Sequence, residues 1–326
     1  MLVAIVLLVL GLLLLAYGAD RLVFSASILC RSLGIPPLII GMTVVGIGTS
    51  LPEIILSLSA AQHGLRDFSV GIALGSNITN ILLILGGAAL LHPLKINSAL
   101  LRRELPLMLL VTLLCGLLLA DNFLTRSEGF CLLAMAVIYL WGIIRLANKT
   151  QAATGDSLTR EQLAELPGED AGNTVACLWL GVALVLLPVA TRMILDNATV
   201  VADYLGISEL LMSLFFISIG TSLPELATVI AGTLKGEGDI AVGNLLGANI
   251  YNTAIVLGLP ALVSPGSIDS NAFSRDYWVM LGVSTLFAVI CLRKDRRIGR
   301  LTGAFLLCGF IVWAAMLWVY PMMNNQ

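Results

Sequence analysis

Polar residues in this chain lie mostly between long apolar runs. Ten runs come close to the roughly 20 residues that a helix needs to cross about 30 Å of hydrocarbon. They cover 2–19, 38–61, 68–91, 105–120, 129–147, 175–191, 210–234, 240–263, 277–292 and 301–320, and the sixth reaches towards Asp203 if it tilts. No basic segment precedes the first run and no A-x-A-like pattern follows it, so it reads as a retained helix and not as a cleaved signal peptide.

Two of the runs are interrupted in the same way. Gly46-Ile-Gly48-Thr49-Ser50-Leu-Pro52-Glu53 returns as Ser218-Ile-Gly220-Thr221-Ser222-Leu-Pro224-Glu225. The offset of 172 also carries Gly75-Ser76-Asn77-Ile-Thr-Asn80 onto Gly247-Ala248-Asn249-Ile-Tyr-Asn252, Leu33-Gly34-Ile35 onto Leu205-Gly206-Ile207, and Leu85-Gly86 onto Leu257-Gly258. A constant register at Gly, Pro, Asn, Thr and Glu marks an internal duplication and not chance likeness between apolar stretches. Five spans per half is an odd number, so the second half enters the bilayer from the opposite side. Inverted repeats of this kind build secondary transporters whose site lies near the midplane. The expected fold is therefore an all-α polytopic membrane protein of ten transmembrane helices: a five-helix repeat over 1–147, an acidic linker over 148–174 and an inverted five-helix repeat over 175–326.

Composition fixes the solvent. With 58% hydrophobic residues, 12% charged residues and a mean hydropathy of +0.98, the chain cannot be an ordinary soluble domain, in which about a quarter of residues are charged. Of the 18 Lys and Arg, 14 fall in the loops after odd-numbered spans, and only Arg66, Arg126, Arg192 and Arg275 lie in the others. The positive-inside rule then puts both termini outside, in a multi-pass protein of the bacterial inner membrane, with 293–300 as the strongest cytoplasmic anchor. That basic loop reads as a topology signal and not as a nucleic-acid site. In the linker, Asp156, Glu161, Glu165, Glu169 and Asp170 outweigh Lys149 and Arg160, and Thr159 with Gln162 suits the cap of a short helix. The six cysteines have no C-x-x-C spacing and read as small core residues, while His63 and His92 read as interfacial.

The interrupted runs carry the chemistry. Pro52 and Pro224 have no N–H to give the carbonyls of Gly48 and Gly220, so both helices should break near Thr49 and Thr221. In lipid, freed carbonyls persist only when buried in protein or facing a wet cavity. Thr49 and Ser50 precede Glu53 by four and three residues, as Thr221 and Ser222 precede Glu225, and Ser76 shares a face with Asn80. Together these form an all-oxygen set with two carboxylates, suited to a hard cation: one Ca2+ or two Na+ balance its charge. A single buried glutamate also suits a packing role, but its recurrence beside a helix break favours a site. For Asn77 and Asn249, packing and ligation are equally open; Asn80 and Asn252 are assigned to the site. Without a following Lys, Gly46-x-Gly48-Thr-Ser is not a phosphate loop.

The G-x-G-T-S-x-P-E and G-S-N-x-x-N motifs, repeated in two halves, resemble the α-repeats of the sodium/calcium exchanger type within the calcium/cation antiporter superfamily. The resemblance covers nearly the whole chain. It implies that spans two, three, seven and eight form the ion core, with spans one and six sliding across it. It implies Ca2+ held by Glu53 and Glu225 with the backbone oxygens of Thr49 and Thr221. Na+ sites would use Ser50, Ser222, Ser76, Asn80 and Asn252 with backbone oxygens near Gly46 and Ser218. The resemblance calls for an acidic residue where this chain has Asn252 and a serine where it has Ala248. It therefore carries cation exchange with Ca2+ more firmly than the coupling ion. A Ca2+/H+ antiporter would use the same glutamates; a channel fits a proline-broken pair less well, and no nucleophile–histidine pair supports an enzyme. No cofactor is expected, the partners are the transported cations and the lipid bilayer, and the sequence does not fix a homo-oligomeric state.

Overall fold

The computed structural model describes residues 1–34, 44, 46–95, 98–150, 172–234, 238–292 and 297–324. The acidic residues of the linker, its expected cap, Ile35, Lys235 and the basic run 293–296 lie outside these.

The described chain is helical, as a chain surrounded by hydrocarbon must be when every backbone polar group needs an internal partner. The helices of twelve or more residues are, in order, α1 (Leu2–Ser32), α2 (Leu51–Gln62), α3 (Arg66–Thr79), α4 (Ser98–Leu119), α5 (Arg126–Thr150), α6 (Asn173–Leu205), α7 (Leu223–Leu234), α8 (Gly238–Tyr251), α9 (Trp278–Cys291) and α10 (Arg300–Asn324), with shorter helical segments between them. Among the described residues, five helices are long and apolar enough to cross a membrane, or six when a bent pair counts as one span. The first departs from its expected end at residue 19. It continues through Asp20 and Arg21 to Ser32, because these two charges pair with each other and the arginine lies over the rings of Tyr17, Phe24 and Trp179.

The internal duplication reappears element by element. Leu51–Gln62 recurs as Leu223–Leu234, Arg66–Thr79 as Gly238–Tyr251, Gly86–Leu91 as Gly258–Val263 and the strand Leu94–Lys95 as Gly266–Ser267, each 172 residues on. Both α3 and α8 run on into a π-helical turn, Asn80–Leu85 and Asn252–Val256.

The equivalent helices α1 and α6 pack along each other. Gly11 of α1 lies against Ile194, whereas Gly18, further along, lies against Leu187, so the two run antiparallel. The four short strands, β1 (Leu94–Lys95), β2 (Phe123–Leu124), β3 (Gly266–Ser267) and β4 (Arg297–Ile298), form two antiparallel ladders, β1 with β4 and β2 with β3. The 22-residue α4 separates β1 from β2, so the ladders lie about 33 Å apart at opposite ends of it.

Helices α3 and α8, with the turns that extend them, form the interior; in the most apolar 18-residue stretch of 66–91, 94% of the residues are buried, against 33% in that of α1 and 28% in that of α6. Small residues allow this close packing. A Cβ on Gly75 would meet the carbonyl oxygen of Leu214, and Gly86 and Gly303 approach each other backbone to backbone. The two buried cysteines, Cys115 and Cys291, belong to this interior. Cys131, Cys177 and Cys308 instead lie on exposed helix faces, which corrects the expectation that the cysteines are core residues.

Gly75→Ala is expected to destabilise the protein by about 1–3 kcal/mol through overpacking against the Leu214 backbone. Gly87→Ala, with nothing within 4 Å of the added carbon, should leave the thermal midpoint in detergent unchanged or raised. Equal midpoints for the two variants would contradict this packing.

Candidate functional site

The first motif forms a helical turn at Gly46–Gly48, breaks at Thr49 and Ser50, and restarts as α2. Pro52 sits in the first turn of the restarted helix, where its missing N–H has no intrahelical partner to lose. The second motif repeats this: a turn over Ser218–Thr221, a break at Ser222, then α7. Ser50 (φ −85°, ψ 5°) and Ser222 (φ −81°, ψ 11°) share one backbone shape. At the second break the chain bends by 42°. Glu53 and Glu225 fall in the first turns of α2 and α7, where the helix dipole favours negative charge.

Each motif's serine reaches the other motif's glutamate. Ser50 Oγ donates to Glu225 Oε1 at 3.3 Å, and Ser222 Oγ donates to Glu53 Oε1 at 3.3 Å. Since each serine precedes its own glutamate by three residues, this exchange brings both carboxylates to one place. Both glutamates are fully buried, and neither Oε2 has a hydrogen-bond partner.

The second motif of each half closes in from α3 and α8. Asn80 and Asn252 begin the two π-helical turns, a local form that is frequent at functional sites. Asn80 Nδ2 donates to Asn249 Oδ1 at 3.0 Å, which leaves Asn80 Oδ1 without a partner. Neither polar atom of the Asn252 side chain has one, and Ser76 Oγ and Thr49 Oγ1 are likewise unpartnered. Asn77 Nδ2 donates to Thr253 Oγ1 at 2.8 Å, and its Oδ1 is bare. Asn249 thus ties the halves together through Asn80, and Asn77 ties them through Thr253 while still presenting an oxygen. Thr221 Oγ1 turns back to the Ser218 carbonyl at 3.4 Å, and Ser218 Oγ donates to Leu214 O at 2.6 Å. Gly46 lies in the turn before the first break, and its surroundings are outside the described residues. Ala248, which stands where Ser76 has its counterpart, is buried and adds no oxygen.

Thirteen buried side-chain N and O atoms lack a partner among the described residues; eight belong to Thr49, Glu53, Ser76, Asn77, Asn80, Glu225 and Asn252, and seven of those eight are oxygens. Folded interiors leave few such atoms, because each costs free energy to keep from water. A cluster of bare acceptors calls for a positive guest. Among the described residues no three of His, Cys, Asp and Glu gather, so hydroxyls and amides must complete any shell that the two carboxylates begin.

A cavity of about 480 Å³ reaches this cluster from one side, between α1, the first break and the start of α7. Thr49 lines it, whereas its counterpart Thr221 is buried.

Two further buried polar groups near the site lie outside the repeated motifs. Ser57 Oγ donates to Val256 O at 2.6 Å, in the π-helical turn that follows α8. Glu104 is a further buried carboxylate and accepts from Tyr139 OH at 2.6 Å. A hydroxyl or carboxylate within an apolar run is the one signal that marked them. At the offset of 172, Ser57 meets the apolar Val229, whereas Glu104 meets Asp276, also a buried carboxylate, which accepts from Arg275 Nε at 2.7 Å.

The family model described as "Sodium/calcium exchanger protein" matches residues 3–145 and 175–319. The chain is 63% identical over 324 residues to the inner membrane protein YrbG of Escherichia coli, covering 99% of each chain. It is 44% identical to the "Putative antiporter CaxA" of Alkalimonas amylolytica, over 97% of this chain and 99% of that one. Among solved structures, the sodium-calcium exchanger NCX_Mj, soaked with Na+ and Sr2+, superposes with a TM-score of 0.63 at 26% identity, covering 96% of this chain and 98% of the other.

Ser50→Ala and Ser222→Ala each strip one donor from a buried carboxylate, and matched geometry predicts matched losses. Each should cost about 1.5–3 kcal/mol of stability in cation-free protein, read from unfolding in detergent. A loss confined to one of the two serines would contradict the reciprocal pairing.

Proposed function

The chain belongs to the sodium/calcium exchanger family, and on that premise we propose that it exchanges Ca2+ for Na+ by alternating access around Glu53 and Glu225, in the direction of Ca2+ extrusion. The observation that carries this reading is the crossed pair of hydrogen bonds from Ser50 to Glu225 and from Ser222 to Glu53. Two carboxylates held together in a dry interior repel each other and have lost their water, so the empty site is costly. One Ca2+, two Na+ or two protons restore neutrality. Only loaded forms then cross readily, and coupling follows from that restriction.

In this reading Glu53 and Glu225 hold Ca2+ with the backbone oxygens of Thr49 and Thr221. Ser50, Ser222, Ser76, Asn80 and Asn252 serve Na+, with backbone oxygens near Gly46 and Ser218. Asn77 and Asn249 stand at the margin, the first with a bare oxygen and the second as a tie. The unpartnered oxygens of the cluster support this set.

The architecture that serves it is a ten-span inverted repeat, with halves over 1–147 and 175–326 joined by the linker 148–174. The antiparallel run of α1 against α6 and the placement of the equivalent strands β1 and β3 at opposite ends of α4 support the inversion. The weakly buried α1 and α6 are suited to slide over the deeply buried interior. The charge asymmetry supports a bacterial inner-membrane protein with both termini outside. YrbG, itself named an inner membrane protein, agrees with the membrane assignment.

One observation favours a second reading. Asn252 contributes no charge, so the buried set holds two carboxylates and balances two protons as well as two Na+. Ca2+/H+ exchange would use the same glutamates.

Flux of 45Ca2+ into proteoliposomes under an imposed Na+ or pH gradient separates the two. Na+-driven uptake is expected, with Glu53→Gln and Glu225→Gln each reducing it to background; wild-type rates in both variants would overturn the site. Uptake driven by a pH gradient without Na+ would select the second reading. Asn252→Asp should strengthen the dependence on Na+. If the added carboxylate admits a third Na+, each cycle moves one net charge and 100 mV contributes about 2.3 kcal/mol. The variant's rate would then respond to a clamped potential.

A further inference from the structure

The cavity beside α1 contains more chemistry than a passage needs. One stripe of α1 faces it, with Asp20 and Ser27 among apolar neighbours, and Thr49 and Thr228 line its other walls. Ser27 is 1% exposed and its Oγ has no hydrogen-bond partner. Thr49 Oγ1 is also unpartnered. Burying a hydroxyl without a partner costs free energy, and two of them on one cavity mark a place that is completed by something polar.

Asp20 supplies charge. Its side chain is 63% exposed and pairs with Arg21, yet both of the arginine's contacts fall on Oδ2, so the second carboxylate oxygen takes no part in the pair. Arg21 does not line the cavity. Its guanidinium lies 5.1–5.5 Å from the ring centroids of Tyr17, Phe24 and Trp179, which hold the positive charge among aromatic faces. Asp20 therefore contributes an acceptor to the cavity while its cationic partner is held to one side.

We propose that this cavity is a second, peripheral cation station, where Asp20, Ser27, Thr49 and Thr228 capture a hydrated cation on one side of the membrane before it passes to the paired glutamates. At about 30 Å³ per water, the cavity has room for on the order of ten waters, so an ion keeps most of its shell there. Thr49 belongs to both places and forms the step between them. The station deepens the exchange reading and rests on it. It works on the side towards which α1 runs its C-terminal half, because the wall of the cavity extends from Ala16 to Ser27.

The test compares apparent KM for Ca2+ on the two faces, using 45Ca2+ flux in right-side-out and inverted vesicles. Asp20→Asn is expected to raise KM about 3–10-fold on one face only, with the maximal rate unchanged, as for loss of a charge that concentrates ions in a cleft. The difference should shrink as ionic strength rises, and Asp20→Glu should restore the wild-type KM. Ser27→Ala, which keeps the Asp20–Arg21 pair, should raise KM on the same face and serves alone if Asp20→Asn does not fold. An unchanged KM on both faces, or an equal rise on both, overturns the station. Glu53→Gln and Glu225→Gln run alongside separate the two failures: wild-type flux in both overturns the paired-glutamate site on which the station rests, whereas the Asp20 result bears on the station alone.

Discussion

Two carboxylates share one dry place in the middle of the molecule, and the rest of the structure answers to that. A carboxylate taken out of water loses several kcal/mol of solvation even after relaxation, and a second one beside it adds repulsion. The protein does not cancel this with a resident cation: no Lys or Arg donates to either glutamate among the described residues, and the donors supplied are two serine hydroxyls. Hydroxyl donors and helix N-termini soften the cost without removing the charge. On the exchange mechanism proposed above, the remaining imbalance is what draws in and releases the mobile ion.

That arrangement needs two broken helices to meet with their serines exchanged, so the packing around them must be close and the polar ties internal. Gly75 lets α3 approach the Leu214 backbone, and Asn77 with Thr253 and Asn80 with Asn249 join the halves across the centre. Such ties average about 0.6 kcal/mol each in membrane interiors, so they set register more than they supply stability. Lipid offers no hydrophobic reward for helix contact, and dispersion at glycine-lined surfaces takes that part. The result is a rigid interior flanked by α1 and α6, which touch each other far more than they penetrate it.

Much of this was legible in the residues. A proline, two hydroxyls and a glutamate inside an apolar run can be seen at once, and their return 172 residues later located both breaks and nearly every bare oxygen of the cluster. The exchange of serines was not legible, since Ser50 and Glu53 look like partners on one turn and only the meeting of the halves shows that Ser50 serves Glu225. The length of α1 was also hidden: Asp20 and Arg21 read as the end of a span, and their mutual pairing under an aromatic cover depends on Trp179 from the other half. Glu104 was missed because its partner Tyr139 lies on α5, 35 residues away in an unremarkable apolar run.

The two short ladders also bear on how the chain is made. Each joins a strand from the first half to one from the second, and Gly129 of α5 packs against the backbone of Gly258. During synthesis the first half therefore emerges with its edge strands unpaired and α5 without its seat. Its spans enter the bilayer early but find their final neighbours only after β3 and β4 have been made. Assembly thus belongs to the end of translation, and a chain cut short before residue 298 would leave the first half inserted yet unclasped at β1.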